Sequence, residues 1–225
     1  MTTLLGMFTK LWTPGAVKTR LAASLGAERA AAIHRLFVET LINRFGLMAD
    51  NRVVAFTPRG AERAFEDIIG PQWQVAAQCE GDLGCRMRAF FDQSLAHFDR
   101  VVLIGSDSPD LPAEYVEEAF GALESRDVVL GPAKDGGYYL VGAARQSPPL
   151  FDGVDWSTDR VWVQSTERLH AAACRWQALP SWFDIDDHDG LDSLLGRLAR
   201  SSNTDPPLAT LYQGLQGLLS ERGAM

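Results

Sequence analysis

Residue types that can work on phosphates cluster in short stretches separated by apolar runs. One stretch reads Lys10-Leu11-Trp12-Thr13-Pro14-Gly15-Ala16-Val17-Lys18-Thr19-Arg20-Leu21: Pro14 and Gly15 turn the chain, and Lys18 and Arg20 follow at a helix start. Backbone N–H groups there, with two cations beside them, can hold a diphosphate. A Walker A loop is excluded, because the second glycine before the Lys-Thr pair is missing. The competing reading is an exposed turn with a solvated basic helix start. A second stretch, Gly105-Ser106-Asp107-Ser108-Pro109-Asp110-Leu111-Pro112, sets an acid just beyond an apolar run. Asp107 there suits Mg²⁺ or Mn²⁺, which takes one or two carboxylates and completes its shell with phosphate and water. Asp110, just before Pro112, reads as a helix cap.

In Gly131-Pro132-Ala133-Lys134-Asp135-Gly136-Gly137-Tyr138-Tyr139 the paired glycines permit backbone shapes closed to other residues and let a ligand approach. Asp135 can then accept a hydrogen bond from a substrate hydroxyl or act as a base. The alternative is a type I′ turn between two strands. In Trp182-Phe183-Asp184-Ile185-Asp186-Asp187-His188-Asp189-Gly190, an extended backbone points Asp184 and Asp186 to one side. Such a cluster repels itself unless a cation or arginine intervenes, so it reads as the other half of a metal site. Asp187 or Asp189 can instead cap a helix beginning near Gly190, and His188 reads as a surface imidazolium. Gln78-Cys79-Glu80-Gly81-Asp82-Leu83-Gly84-Cys85-Arg86-Met87 is ambiguous: Asp82 and Arg86 face a base or ribose, or cap the helix starting there. His34, His97 and His170 show no nucleophile partner, and a serine hydrolase lacks its G-x-S-x-G elbow.

These stretches need elements to position them. Apolar runs predict strands at Leu4 to Phe8, Arg52 to Phe56, Trp73 to Ala77, Val101 to Ile104, Val128 to Leu130, Tyr138 to Val141 and Arg175 to Leu179. Helical periodicity is clearest from Ala27 to Phe45, where Ile33, Phe37, Leu41 and Phe45 share a face. Further helices are predicted at Ala61 to Ile69, Leu83 to Phe98, Pro112 to Leu123, Thr158 to Ala172, Gly190 to Ala199 and Leu208 to Leu219. The alternation implies a layered α/β domain with a mostly parallel sheet. In such sheets ligands collect beyond the carboxyl ends of strands, where the loops described above lie.

Composition narrows the chemistry. The 225 residues carry 21 Lys and Arg against 29 Asp and Glu, a net charge of −8. A nucleic-acid surface needs an excess of cations, so a duplex is an unexpected partner, and any anionic ligand must be met by a few placed groups. Three cysteines without a CxxC spacing argue against a disulfide framework or a zinc knuckle and fit a reducing cytoplasm. The apolar N-terminal run is too short for a signal peptide, and no run approaches the ~20 apolar residues of a membrane span.

Taken in order, Pro14-Gly15-x-x-Lys18-Thr19-Arg20-Leu21, Gly81-Asp82-Leu83-Gly84-x-Arg86-Met87, Gly105 to Pro112, Gly131-Pro132-Ala133-x-Asp135-Gly136-Gly137-Tyr138-Tyr139-Leu140, Trp156-Ser157-Thr158 and Asp184-Ile185-Asp186 resemble a bacterial GT-A-type glycosyltransferase-like family of the nucleotide-diphospho-sugar transferase superfamily. The resemblance runs from the first strand to about Leu195. It implies a single-domain, GT-A (Rossmann-like) α/β three-layer sandwich with a mostly parallel mixed sheet over residues 1–200; the tail at 201–225 lies outside the resemblance and, from its helical period, is expected to pack on the domain as a helix. It also implies a nucleotide held by Pro14, Gly15, Lys18 and Arg20 at the phosphates and by Gly81, Asp82, Gly84 and Arg86 near base and ribose. Asp107 and Asp186 would bind Mg²⁺ or Mn²⁺, and Asp135, Gly136, Gly137 and Tyr138 would form the acceptor pocket. Asp107 is followed by Ser108-Pro109-Asp110 rather than completing the tight Asp-x-Asp of many GT-A enzymes. The expected activity is transfer from a nucleotide-diphospho-sugar to a small-molecule acceptor, with Asp135, Lys18 and Arg20 catalytic. Two readings stand beside it: nucleotidyl transfer from an NTP to a phosphorylated small molecule, and a nucleotide-binding module without turnover.

Overall fold

The computed structural model describes residues 1–201 and 205–220. Of the expected tail, residues 202–204 and 221–225 lie outside the described residues. The chain runs β1 (Thr3–Lys10), α1 (Thr19–Leu25), α2 (Ala27–Arg44), β2 (Asn51–Thr57), α3 (Glu62–Glu66), β3 (Gln74–Ala77), α4 (Leu83–Leu95), β4 (Arg100–Gly105), α5 (Ala113–Ala122), β5 (Val128–Pro132), β6 (Tyr138–Ala144), α6 (Val161–Ala171), β7 (Trp176–Ala178), α7 (His188–Ser201) and α8 (Pro206–Ser220). The strands form one sheet of seven in the order β3-β2-β1-β4-β6-β5-β7. β1, β2, β3 and β4 are mutually parallel, β6 opposes both β4 and β5, and β7 runs parallel to β5.

Period-two alternation explains the three layers. Along β4, Val102 and Ile104 pack with Val38 and Leu41 of α2 and Val116 and Phe120 of α5, whereas Val101 and Leu103 pack with Met87 and Phe91 of α4 and Leu169 of α6. All four β4 residues are buried, as their unbroken apolar run requires of a strand covered on both faces. A further apolar cluster joins Leu21 of α1 and Ile33 and Phe37 of α2 to Leu191, Leu194 and Leu198 of α7 and Leu208, Leu211 and Leu215 of α8. This fixes α7, and with it the acidic segment just before it, beside the start of the chain.

Helix α3 is shorter than the periodicity predicts. The type I′ turn that stood as the alternative reading between β5 and β6 is instead a loop of residues 133–137, closed by Ala133 N–H donating to the Gly137 carbonyl at 3.0 Å. The register shifts at Gly131/Pro132, where Pro132 has no N–H to continue the ladder. Because β6 is reversed, its start lies at the same sheet edge as the ends of β1, β4 and β5. The loops predicted to carry chemistry therefore share one rim.

Candidate active site

The rim is organised around Lys18. Its backbone is left-handed (φ 47°, ψ 46°), a conformation costing a non-glycine residue on the order of 1 kcal/mol and found where surrounding structure holds it. This bend turns the side chain inward. The ammonium, 2 % exposed, pairs closely with Asp107 Oδ1 and lies 3.1 Å from Asp186 Oδ1. It also donates to the Ile185 carbonyl at 2.6 Å and lies 5.6 Å from the centre of the Phe37 ring. The carboxylates remain open to the rim, with 46 % of the Asp107 side chain and 40 % of Asp186 exposed. Ile185 N–H donates to the Asp107 carbonyl at 2.9 Å, joining two segments nearly eighty residues apart. Beside it Ser108 Oγ donates to Asp184 Oδ1 at 2.6 Å.

Electrostatics follow from this packing. Burial works against the Lys18 ammonium, but Asp107 and then Asp186 outweigh it and raise its pKa. Burial likewise opposes the Asp107 carboxylate, and the neighbouring ammonium overcomes it to hold the carboxyl below its usual range. Asp184 is pushed up to about 7, first by removal from water and, against the Ser108 hydrogen bond, by the charges of Asp107, Asp135 and Asp186.

Two adjoining cavities open at the rim. One of about 620 Å³ lies over the ends of β1 and β4 and reaches His34, Gln78 and Arg86. The other, about 500 Å³, is bounded by Arg20, Asp135, Gly137, Trp156 and Thr158. Asp107, Asp184, Asp186, Leu83, Tyr138 and Ser157 line both, so the acids form a partition between two compartments. The donor set suits a hard divalent cation: two partly exposed carboxylates converge on one point, which the Lys18 ammonium holds here. Among the described residues no group of three or more His, Cys, Asp or Glu is arranged to hold a metal ion, so substrate oxygens would have to complete the shell.

The structure brings Lys18, Asp107 and Asp186 together and places Arg20, Arg86, Asp135, Gly137 and Tyr138 on the cavity walls. Several of the expected site residues make protein contacts in this structure. The three N–H donors of Lys18 meet three protein oxygens. Asp82 caps α4, accepting from Cys85 N–H at 2.8 Å, and Arg86 Nε donates to the Gly81 carbonyl at 2.9 Å. Gly84 meets protein rather than ligand: a Cβ there would lie 2.5 Å from the Phe151 carbonyl oxygen and Trp156 Nε1. At Gly136 (φ +93°) a Cβ would meet the Asp159 backbone at 2.6 Å. Pro14 and Gly15 shape the turn ahead of Lys18 and line neither cavity. Asp135 accepts from Gly137 N–H at 3.0 Å within its loop and still lines the second cavity. Asp110 does not cap α5, whose start has no side-chain cap; Arg197 grips it through Nε at 2.6 Å and Nη2 at 3.3 Å. Asp187 does cap α7, accepting from Gly190 N–H at 2.9 Å.

Sequence reasoning left out His34 and Gln78, whose side chains hold the β1 end. His34 Nε2–H donates to the Lys10 carbonyl at 3.0 Å, and Gln78 Nε2 donates to the Thr9 and Ala55 carbonyls. Neither position carries a local signal, because both contacts depend on how distant elements pack. Asp184 did carry one: its alternation with Asp186.

The sheet order, with ligand-sized cavities at the carboxyl edge, defines the nucleotide-diphospho-sugar transferase fold. The sequence model of a family described as "Uncharacterized protein conserved in bacteria (DUF2064)" matches residues 44–158, and the chain belongs to that family. The chain is similar to a crystal structure from Desulfovibrio desulfuricans G20, provisionally assigned as a nucleotide-diphospho-sugar transferase, at 33% identity, TM-score 0.88 and 98% coverage of both chains. Two more distant structures share the fold alone. A nucleotidyl transferase from Methanothermobacter thermautotroptrophicus has TM-score 0.58 and 13% identity over 89% of this chain and 99% of that one. CMP:2-keto-3-deoxy-manno-octonic acid synthetase complexed with CTP has TM-score 0.56 and 10% identity over 89% of this chain and 100% of that one. No functionally curated protein matches the chain in sequence.

Proposed function

We propose that this chain is a metal-dependent transferase that takes a nucleotide-diphospho-sugar donor and passes the sugar to a small-molecule acceptor. The observation that carries the reading is the acidic partition between two cavities. The larger, about 620 Å³, is within the range of small-molecule sites and takes the nucleotide. The smaller, with Asp135 on its wall, takes the acceptor. A Mg²⁺ or Mn²⁺ ion held by Asp107 and Asp186 would neutralise the diphosphate leaving group. The chain's own groups do the rest. Arg20, on the acceptor-side wall, faces the charge that develops as the sugar–phosphate bond breaks. Asp135 orients the acceptor hydroxyl and takes its proton as the new glycosidic bond forms and nucleoside diphosphate leaves. Arg86, on the nucleotide-side wall, orients the donor.

One observation favours a second reading, nucleotidyl transfer from an NTP with pyrophosphate leaving. The loop after β4 offers the cavity a single acid, because Asp110 is turned away into its pair with Arg197. A thermal-shift panel of NDP-sugars and NTPs, with and without Mn²⁺, separates the readings. Metal-dependent stabilisation by NDP-sugars, with release of NDP in the presence of an acceptor, is the expected result. Stabilisation by NTPs with pyrophosphate release transfers the assignment to the second reading, and binding without release of either product marks a module without turnover.

A further inference from the structure

We propose that Lys18 is an internal counter-cation that keeps the Asp107–Asp186 pair closed to free divalent ions, so that the metal enters only in company with a diphosphate. The inference rests on the metal-dependent reading above and adds an order of binding to it. The ammonium is the point on which both carboxylates converge, and its third N–H meets the Ile185 carbonyl. Its coordination within the protein is complete. The side chain is 2 % exposed, so its attraction for the carboxylates is weakly screened.

A hydrated dication approaching alone meets a carboxylate pair half neutralised by a resident positive charge. To bind both oxygens it must displace the ammonium, which then has no anion to receive it, or lie beside it and be repelled. A diphosphate changes both terms. It presents oxygens to which the ammonium can transfer, and it supplies the remaining ligands that two carboxylates cannot. The left-handed backbone at Lys18 serves this arrangement, because it aims the side chain between the two acids rather than along the α1 surface. Lys18 is a positioning residue in the free protein and a phosphate ligand in the loaded one.

The test reads Mn²⁺ binding by loss of the free-ion electron paramagnetic resonance signal, without any turnover. Wild-type protein is titrated with Mn²⁺ alone and with Mn²⁺ plus pyrophosphate, beside Lys18→Met, Lys18→Gln and Asp107→Asn. Lys18→Gln keeps two N–H donors without the charge and provides a folded control should Lys18→Met not fold. Wild type is expected to bind Mn²⁺ alone at least tenfold more weakly than Mn²⁺ with pyrophosphate, and the Lys18 variants to bind Mn²⁺ alone at least tenfold more tightly than wild type. Equal affinity of wild type for Mn²⁺ with and without pyrophosphate overturns the proposal, as do Lys18 variants that gain no affinity for the ion alone. Asp107→Asn tests the underlying reading separately. If it binds Mn²⁺ with pyrophosphate as wild type does, the metal assignment itself is wrong, whereas loss of that binding with no gain in the Lys18 variants removes only the gating role.

Discussion

Asp107 and Asp110 are three residues apart on the same loop, and each is paired with a cation, yet their surroundings are opposite. Asp110 is 8 % exposed and held at two points by Arg197, whose guanidinium also lies 4.7 Å from the Phe183 ring centre. A planar fork on a carboxylate, backed by aromatic rings, is a clamp with no open side. Nearby, Arg44 secures the same loop by donating to the Pro109 and Leu111 carbonyls. Asp107 meets a lysine instead, and nearly half of its side chain faces a cavity. Ion pairing alone therefore marks neither residue as functional. What separates them is whether the acid keeps oxygen surface that a ligand can reach, and whether its cation is a lysine point charge or an arginine fork.

Three substitutions sharpen or break this contrast. The largest effect is expected from Asp110→Ala, which removes a mostly buried bidentate acceptor and should lower unfolding free energy by on the order of 3 kcal/mol in urea denaturation. The molecules that remain folded should keep wild-type nucleotide affinity; loss of affinity there would place Asp110 in the site after all. Asp107→Ala should weaken metal-dependent nucleotide binding by roughly 100-fold, measured by calorimetry, as expected for loss of a metal-site group. Its stability loss should be smaller than that of Asp110→Ala, because Lys18 keeps Asp186 and the Ile185 carbonyl. Equal destabilisation by the two changes would erase the distinction.

The smallest effect concerns His34, whose pKa is lowered from 6.5 chiefly by burial. The unfolded chain takes up this proton more readily than the folded one, so stability is lost as pH falls below about 6.5 and the loss levels off beneath the folded value. His34→Gln should flatten the fall in denaturation midpoint across that window. An unchanged slope would mean that other groups govern the acid limb.

The sequence was most legible where a residue's environment is local. Each of the seven strands appears where an apolar run predicts it, and the Ala27 helix ends within a residue of its predicted bound. Asp107 was visible because its position beyond a doubly covered strand is itself informative. Asp110 was not, because its partner is 87 residues away and nothing in Ser-Pro-Asp announces an arginine on a distant helix. The same limit hid Lys18: the spacing revealed a cation at a helix start, but only the left-handed bend and the packing of α7 against α1 show that it points inward. Gly84 and Gly136 illustrate a subtler failure, since glycines beside a site suggest ligand approach while these two accommodate Phe151, Trp156 and Asp159.

The reversal of β6 has a consequence for how this scaffold can diversify. A loop between adjacent antiparallel strands is tied to the sheet at both ends, so residues 133–137 can lengthen or shorten without disturbing the crossovers that build the parallel half of the sheet. Under the transferase reading proposed above, recipient preference could thus be rewritten at the hairpin tip while the parallel half of the sheet keeps its architecture.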